Sequence, residues 1–253
     1  MIISVVNFAT DSISDSDLQA VIRSINRQIA YDFAPYWSLS AQLRLEGCSG
    51  TKPSKQSPVD MRGDAVIYLY DHATVKDALG YHDQNHRGVP YGFVFPSISK
   101  DAGENWTVTL SHEALELIAD PEANLYVRGP HPTEPHDVFY WYEMCDPVQA
   151  EAYTIENVEV SNFVLPLYFT SSEERGGRND FLNQAHQGKT LRSFGVNPGA
   201  YIGYFDPKTD KDVTFFAPDD TVADKRKRAK AQMEVAQRAS RYRTKRAKSV
   251  ETH

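Results

Sequence analysis

The chain has 253 residues, 41% of them apolar and 24% charged, with a formal net charge of −7. That balance is ordinary for a globular protein, and with only two cysteines, Cys48 and Cys145, it excludes a disulfide scaffold and a low-complexity chain. No run approaches the roughly eighteen apolar residues of a membrane span, and Met1–Ala9 lacks the basic start and cleavage site of a signal peptide.

Ile2–Phe8 is a β-rich apolar run and reads as a strand. Ser14–Phe33 reads as a helix, with Ser14 or Ser16 as N-cap and Leu18, Val21, Ile22, Ile25 and Ile29 at helical spacing. Leu39–Leu45 alternates as a strand, Ser49–Pro58 is a polar loop, and Ala65–Tyr70 is apolar enough for the middle of a sheet. Gly80–Pro96 reads as a polar loop running into one short aromatic strand, which its proline and glycines place at a sheet edge. Trp106–Asp120 is a second helix with Leu110, Ala114, Leu117 and Ile118 as its apolar stripe; Pro121 disfavours helical geometry at Asp120 and stops it. Val138–Cys145 is an aromatic strand entering a turn. Val158–Val160 and Phe163–Phe169 read as short strands, and Tyr201–Phe205 with Val213–Phe216 as a hairpin around Asp206–Asp212. The expected class is α+β: one mixed-sheet domain over residues 1–222, its later part irregular β structure.

Chemistry concentrates on the second helix, where Ser111-His112-Glu113-Ala114-Leu115-Glu116 is an H-E-x-x-E motif. His112 and Glu116 are four residues apart, hence about 40° and ~6 Å along one face, so both reach a single ion. Glu113 lies about 100° round, where a general base sits beside an ion rather than on it. With 8 His and 14 Glu in 253 residues, chance supplies such a motif about 0.02 times per chain. Zinc is the expected ion, although a glutamate in place of a second histidine is a harder ligand and excludes other divalent ions less. A third ligand could come from Asp120, Glu143, Asp146, His131 or His136. Asp120 is about 12 Å up the helix from His112 and reads as a helix-end group or one that supports the ligands. Cys145 could ligate zinc, but a lone cysteine among aromatics reads first as a small buried thiol. His86 reads as a surface-loop histidine.

The order strand, helix, strand, strand, edge strand, active helix is the layout of zincin metallopeptidases. SHEALELIADP followed by EMCDPVQA, with GYHDQNHRGVPYGFVF upstream, resembles a group of bacterial and phage-borne zincin-like proteins with the pattern S-H-E-x-x-E-x-x-x-D-P, then E-x-C-D-P. The resemblance runs from residue 1 to about 217 and includes SNFVLPLYF and NPGAYIGYF. It implies a zincin-like sheet, one Zn2+ and peptide hydrolysis. His112, Glu116 and Glu143 would be its metal ligands, Glu113 its base, His82 an oxyanion-side or substrate-facing group, and Asp120 and Asp146 supports of the ligands. The alternative is a non-catalytic zincin-like structural protein of a phage particle or its assembly.

Charge divides the chain. Residues 1–224 carry 16 Lys+Arg against 32 Asp+Glu, whereas residues 225–253 carry 11 against 2. A separate basic tail over 223–253 is expected, frayed or helical, that binds nucleic acid or an acidic partner or is merely solvated. No membrane partner is expected. The two cysteines suit a reducing compartment, cytoplasmic or, if phage-encoded, virion-associated.

Overall fold

The computed structural model describes residues 1–46, 63–71, 79–85, 87–171 and 177–218. Its first sheet has the order β2-β1-β3-β5-β4. The strands are β1 (Ile2–Asn7), β2 (Gln42–Leu45), β3 (Ala65–Leu69), β4 (Gly80–Gln84) and β5 (Pro90–Val94). β1 pairs in parallel with β2 and β3, and β3 with β5; only the edge strand β4 runs antiparallel, to β5. β1 and β3 are central, and both faces of such a strand need apolar side chains, which is why their sequences are apolar runs rather than alternations.

Helix α1 (Asp15–Gln28) carries the chain from β1 to β2. The Ser14 side chain caps it by accepting from the Asp17 N–H, and Leu18, Val21, Ile22 and Ile25 are buried. The apolar spacing predicts a single helix to Phe33. Instead Ile29–Phe33 is a π turn, in which the Ala34 N–H reaches back to Ile29 O, and α2 (Ala34–Trp37) follows. Pro35, with no N–H to continue the ladder, sits where the pattern shifts.

After β5 come α3 (Pro96–Asp101) and α4 (Trp106–Ala119). α4 packs against β4 and β5 on one side and a later hairpin on the other. Every residue from Thr109 to Ala119 is consequently buried, including five polar ones that need partners. Asn105 caps its start, accepting from the Thr107 N–H at 3.1 Å.

A second sheet, entirely antiparallel, has the order β11-β10-β7-β6, with β6 (Tyr126–Pro130), β7 (Asp137–Trp141), β10 (Tyr201–Asp206) and β11 (Lys211–Phe216). β8 (Ala152–Ile155) and β9 (Val158–Ser161) form a separate hairpin, and β9 lies against α4. One core cluster runs through β1, β3, α1 and α4 to Phe163 and Tyr168; a smaller one, around Val138, Tyr140, Phe194 and Ile202, belongs to the second sheet.

The fold is thus mixed α and β, as expected, with differences in detail. Gly80–Pro96 is two strands, not a loop and a strand, and the aromatic β5 lies inside the sheet while β4 is the edge. Pro90 is tolerated there because it is the first residue of β5. Phe163–Phe169 is not a strand: Val164 makes one isolated bridge to Asp180, and Pro166–Phe169 is a 3₁₀ turn begun at proline. β6 and β8 had no clear sequence signal. Among the described residues no helix is long and apolar enough to cross a membrane. The Ser49–Pro58 loop, His86 and the basic tail lie outside the described residues.

Candidate metal centre

Three segments meet at the inward face of α4. The helix supplies His112, Glu113 and Glu116, the edge strand β4 supplies His82, and the turn after β7 supplies Glu143 and Asp146. None of the six is more than 9% exposed.

The i, i+4 spacing does what helical geometry requires: His112 Nε2 lies 3.2 Å from Glu116 Oε2. On its other side the same nitrogen lies 3.3 Å from Asp146 Oδ1. Glu113, a third of a turn round, faces β4, with Oε2 3.5 Å from His82 Nδ1. His82 Nδ1 is also 3.8 Å from Glu116 Oε2, and its Nε2 is 3.7 Å from Glu143 Oε2. His82 Nε2 is buried and makes no hydrogen bond among the described residues.

Several contacts set these positions. Gly80 lets the start of β4 close on the helix, since a Cβ there would stand 2.8 Å from Glu113 Oε1 and 2.9 Å from both Phe93 O and Thr109 Cγ2. The Cys145 N–H donates to Glu116 Oε1 at 3.1 Å, which turns Oε2 towards the histidines. The Tyr201 hydroxyl, from β10, donates to Asp146 Oδ1. Behind the helix, Ser111 Oγ donates to Gln28 Oε1 at 2.7 Å and accepts the Ser161 N–H at 3.1 Å, which pins the rotation of α4 between α1 and β9.

Electrostatics follow from crowding acids and imidazoles in a dry place. Burial works against a charged His82, but the carboxylates of Glu143, Glu113 and Glu116 outweigh it and raise its pKa to about 9. His112 is likewise raised, its burial overcome chiefly by Glu116, with Asp146 adding to the effect. Burial raises Glu116 to about 8 against the opposing pull of His112. Asp146 is raised by burial despite hydrogen bonds from His112 and Tyr201. Burial pushes the Cys145 thiol well up, and its Sγ donates to His112 O at 3.9 Å; the same Sγ lies within 4.8 Å of ligating atoms of His112 and Glu116, so it could also meet an ion there.

The residues fit a divalent ion. Donors bonded to one zinc at about 2.0–2.2 Å stand about 3.3–3.6 Å apart. The 3.2 Å and 3.3 Å separations around His112 Nε2 are close to that spacing. Glu113, Glu116 and Asp146 have imidazoles as their ion-pair partners among the described residues. Such a group in a dry site calls for protons or a cation.

The sequence-derived site is thus brought together with its members rearranged. Asp146, expected to support the ligands, is the carboxylate beside His112, while Glu143, expected to be the third ligand, faces His82. Asp120 accepts the N–H groups of Asn124 and Leu125 at 3.0 and 2.9 Å and so closes the chain after the helix. His131 and His136 sit on the second sheet: His136 Nε2 is 3.1 Å from Asp206 Oδ1, and His131 Nδ1 accepts the N–H groups of Thr133 and Glu134. Tyr201, Gly80 and the Cys145 N–H escaped sequence reasoning. The segment NPGAYIGYF, prominent in the resemblance, contains Tyr201, but nothing local ties it to Asp146. Comparison with protein-family models, curated proteins and solved structures finds no match to this chain.

Proposed function

We propose that this protein is a metal-dependent hydrolase of zincin-like type, acting on peptides, with zinc as the ion. The observation that carries the reading is the buried set His112, Glu116 and Asp146, with Glu113 beside it on the same helix and an antiparallel edge strand alongside. His112, Glu116 and Asp146 would hold the ion; when bound, it would supply Lewis acidity that polarises a carbonyl and activates water. Glu113 would take the proton of the attacking water at Oε2 and return it to the leaving amine. His82, 3.5 Å from that oxygen, orients it. The Cys145 N–H and Tyr201 hydroxyl hold Glu116 and Asp146 in register, so the acceptors are in place before any ligand arrives. An extended peptide would run beside β4. The basic tail would tether the domain to a polyanion or an acidic partner.

A second reading is a zincin-like module whose ion is structural, in a phage particle or its assembly. Its support is the depth of burial of all six side chains, which is the habit of closed structural sites. Glu113→Gln separates the two. A hydrolase should keep stoichiometric zinc and its melting temperature while turnover on a fluorogenic peptide mixture falls about 10²–10⁴-fold. Equal turnover by wild type and variant would end the catalytic reading.

A further inference from the structure

We infer that the centre holds two divalent cations, not one, bridged by Glu116. The inference rests on the reading of His112, Glu116 and Asp146 as ligands and adds a second position made by His82, Glu116 and Glu143. The ligating atoms of those last three all lie within 4.8 Å of one another, as do those of His112, Glu116 and Cys145. The two groups share Glu116. Its Oε2 faces His112 Nε2 at 3.2 Å and His82 Nδ1 at 3.8 Å, while Oε1 is occupied by the Cys145 N–H. One oxygen of Glu116 therefore lies between the two imidazoles.

His82 supplies an independent reason. The Glu113 and Glu116 carboxylates face its Nδ1, and its Nε2 points towards a different carboxylate. That nitrogen is buried, makes no hydrogen bond among the described residues, and is aimed towards Glu143 Oε2 3.7 Å away. A buried imidazole nitrogen with no hydrogen bond, opposite a carboxylate, is a ligand pair. His82 Nε2 meets Glu143 whereas His112 Nε2 meets Glu116 and Asp146, so the two nitrogens serve different positions.

Two ions sharing a carboxylate stand about 3.5–4 Å apart.

The test uses the full chain, stripped with a chelator and reloaded with Zn2+ or Mn2+. Elemental analysis after zinc loading should find two ions per chain, falling to one in His82→Asn and in Glu143→Gln and staying at two in His136→Ala. In wild type loaded with Mn2+, paramagnetic resonance should show an exchange-coupled pair, a result that does not depend on any variant folding. Saturation at one zinc, two uncoupled Mn2+ ions, or loss of an ion in His136→Ala would each overturn the bridged pair. One ion with Glu113-dependent hydrolysis would sink the pair and spare the hydrolase. Two coupled ions without hydrolysis would do the reverse.

Discussion

Among the described residues, two clusters bring more than one histidine within reach of carboxylates, and they differ in what surrounds the charges. At the end of the second sheet, His131, His136 and Asp206 lie close together, with the two rings stacked at 4.7 Å. There Asp206 takes the Lys208 N–H, the Thr209 hydroxyl and His136, and despite some burial these hold its carboxyl below the usual range. His131 Nδ1 accepts two backbone N–H groups, so its proton is on Nε2, against Tyr204. The α4 centre is the opposite case. Asp146 and Glu116 are raised rather than lowered, because burial outweighs the donors that reach them. Nearness of imidazole and carboxylate therefore does not make a site; a deficit of donors in a buried place does.

The contrast can be broken at matched residues. Asp146→Asn should lower zinc affinity by more than the 10–100-fold typical of losing an outer partner, since a ligand is lost. It should also raise the melting temperature of the metal-free protein by removing a buried charge. Asp206→Asn should leave zinc affinity unchanged and destabilise the fold by about 1 kcal/mol through weakened hydrogen bonds. Equilibrium dialysis and denaturant unfolding on both variants decide the matter, and identical profiles would erase the distinction drawn between the two clusters.

Tyr201→Phe should be milder. It removes only the hydroxyl that donates to Asp146, so zinc affinity should drop about 10-fold with the fold intact. An unaltered affinity would mean that Asp146 is held by other contacts.

The pH dependence sharpens the comparison further. Folding raises His82 to about 9 from 6.5 and Glu116 to about 8 from 4.5. Without metal, the stability these two contribute is complete below their unfolded values and is lost as pH climbs through 8 and 9. A cation replaces those protons, so zinc-induced thermal stabilisation should grow from pH 6 to pH 8.5. Differential scanning fluorimetry with and without zinc reads this directly; a stabilisation largest at pH 6 would contradict it. The smallest expected effect is from deleting residues 223–253. Melting temperature and zinc content should stay the same, while any polyanion binding, steeply salt-dependent, disappears.

Local spacing in the sequence was enough to determine some parts of this protein. The four-residue interval of His112 and Glu116 places them on one face of any helix, and the observed pair follows. The stripe Leu18–Val21–Ile22–Ile25 and the apolar runs of β1 and β3 likewise depend only on neighbours along the chain, and all three elements form, although the helix ends at Gln28 rather than Phe33. Tertiary structure decided the rest. Glu143 and Asp146 are three residues apart in a turn without periodicity. Which of them meets His112 is set by Tyr201, 55 residues on, and by the Cys145 N–H that fixes Glu116. The edge position of β4, and with it the arrival of His82, needs β3 and β5 to pair first, a contact between distant segments. Period and capping act within a turn or two of chain, whereas the direction of a turn side chain and the order of strands are fixed by contacts that exist only once the chain has closed on itself.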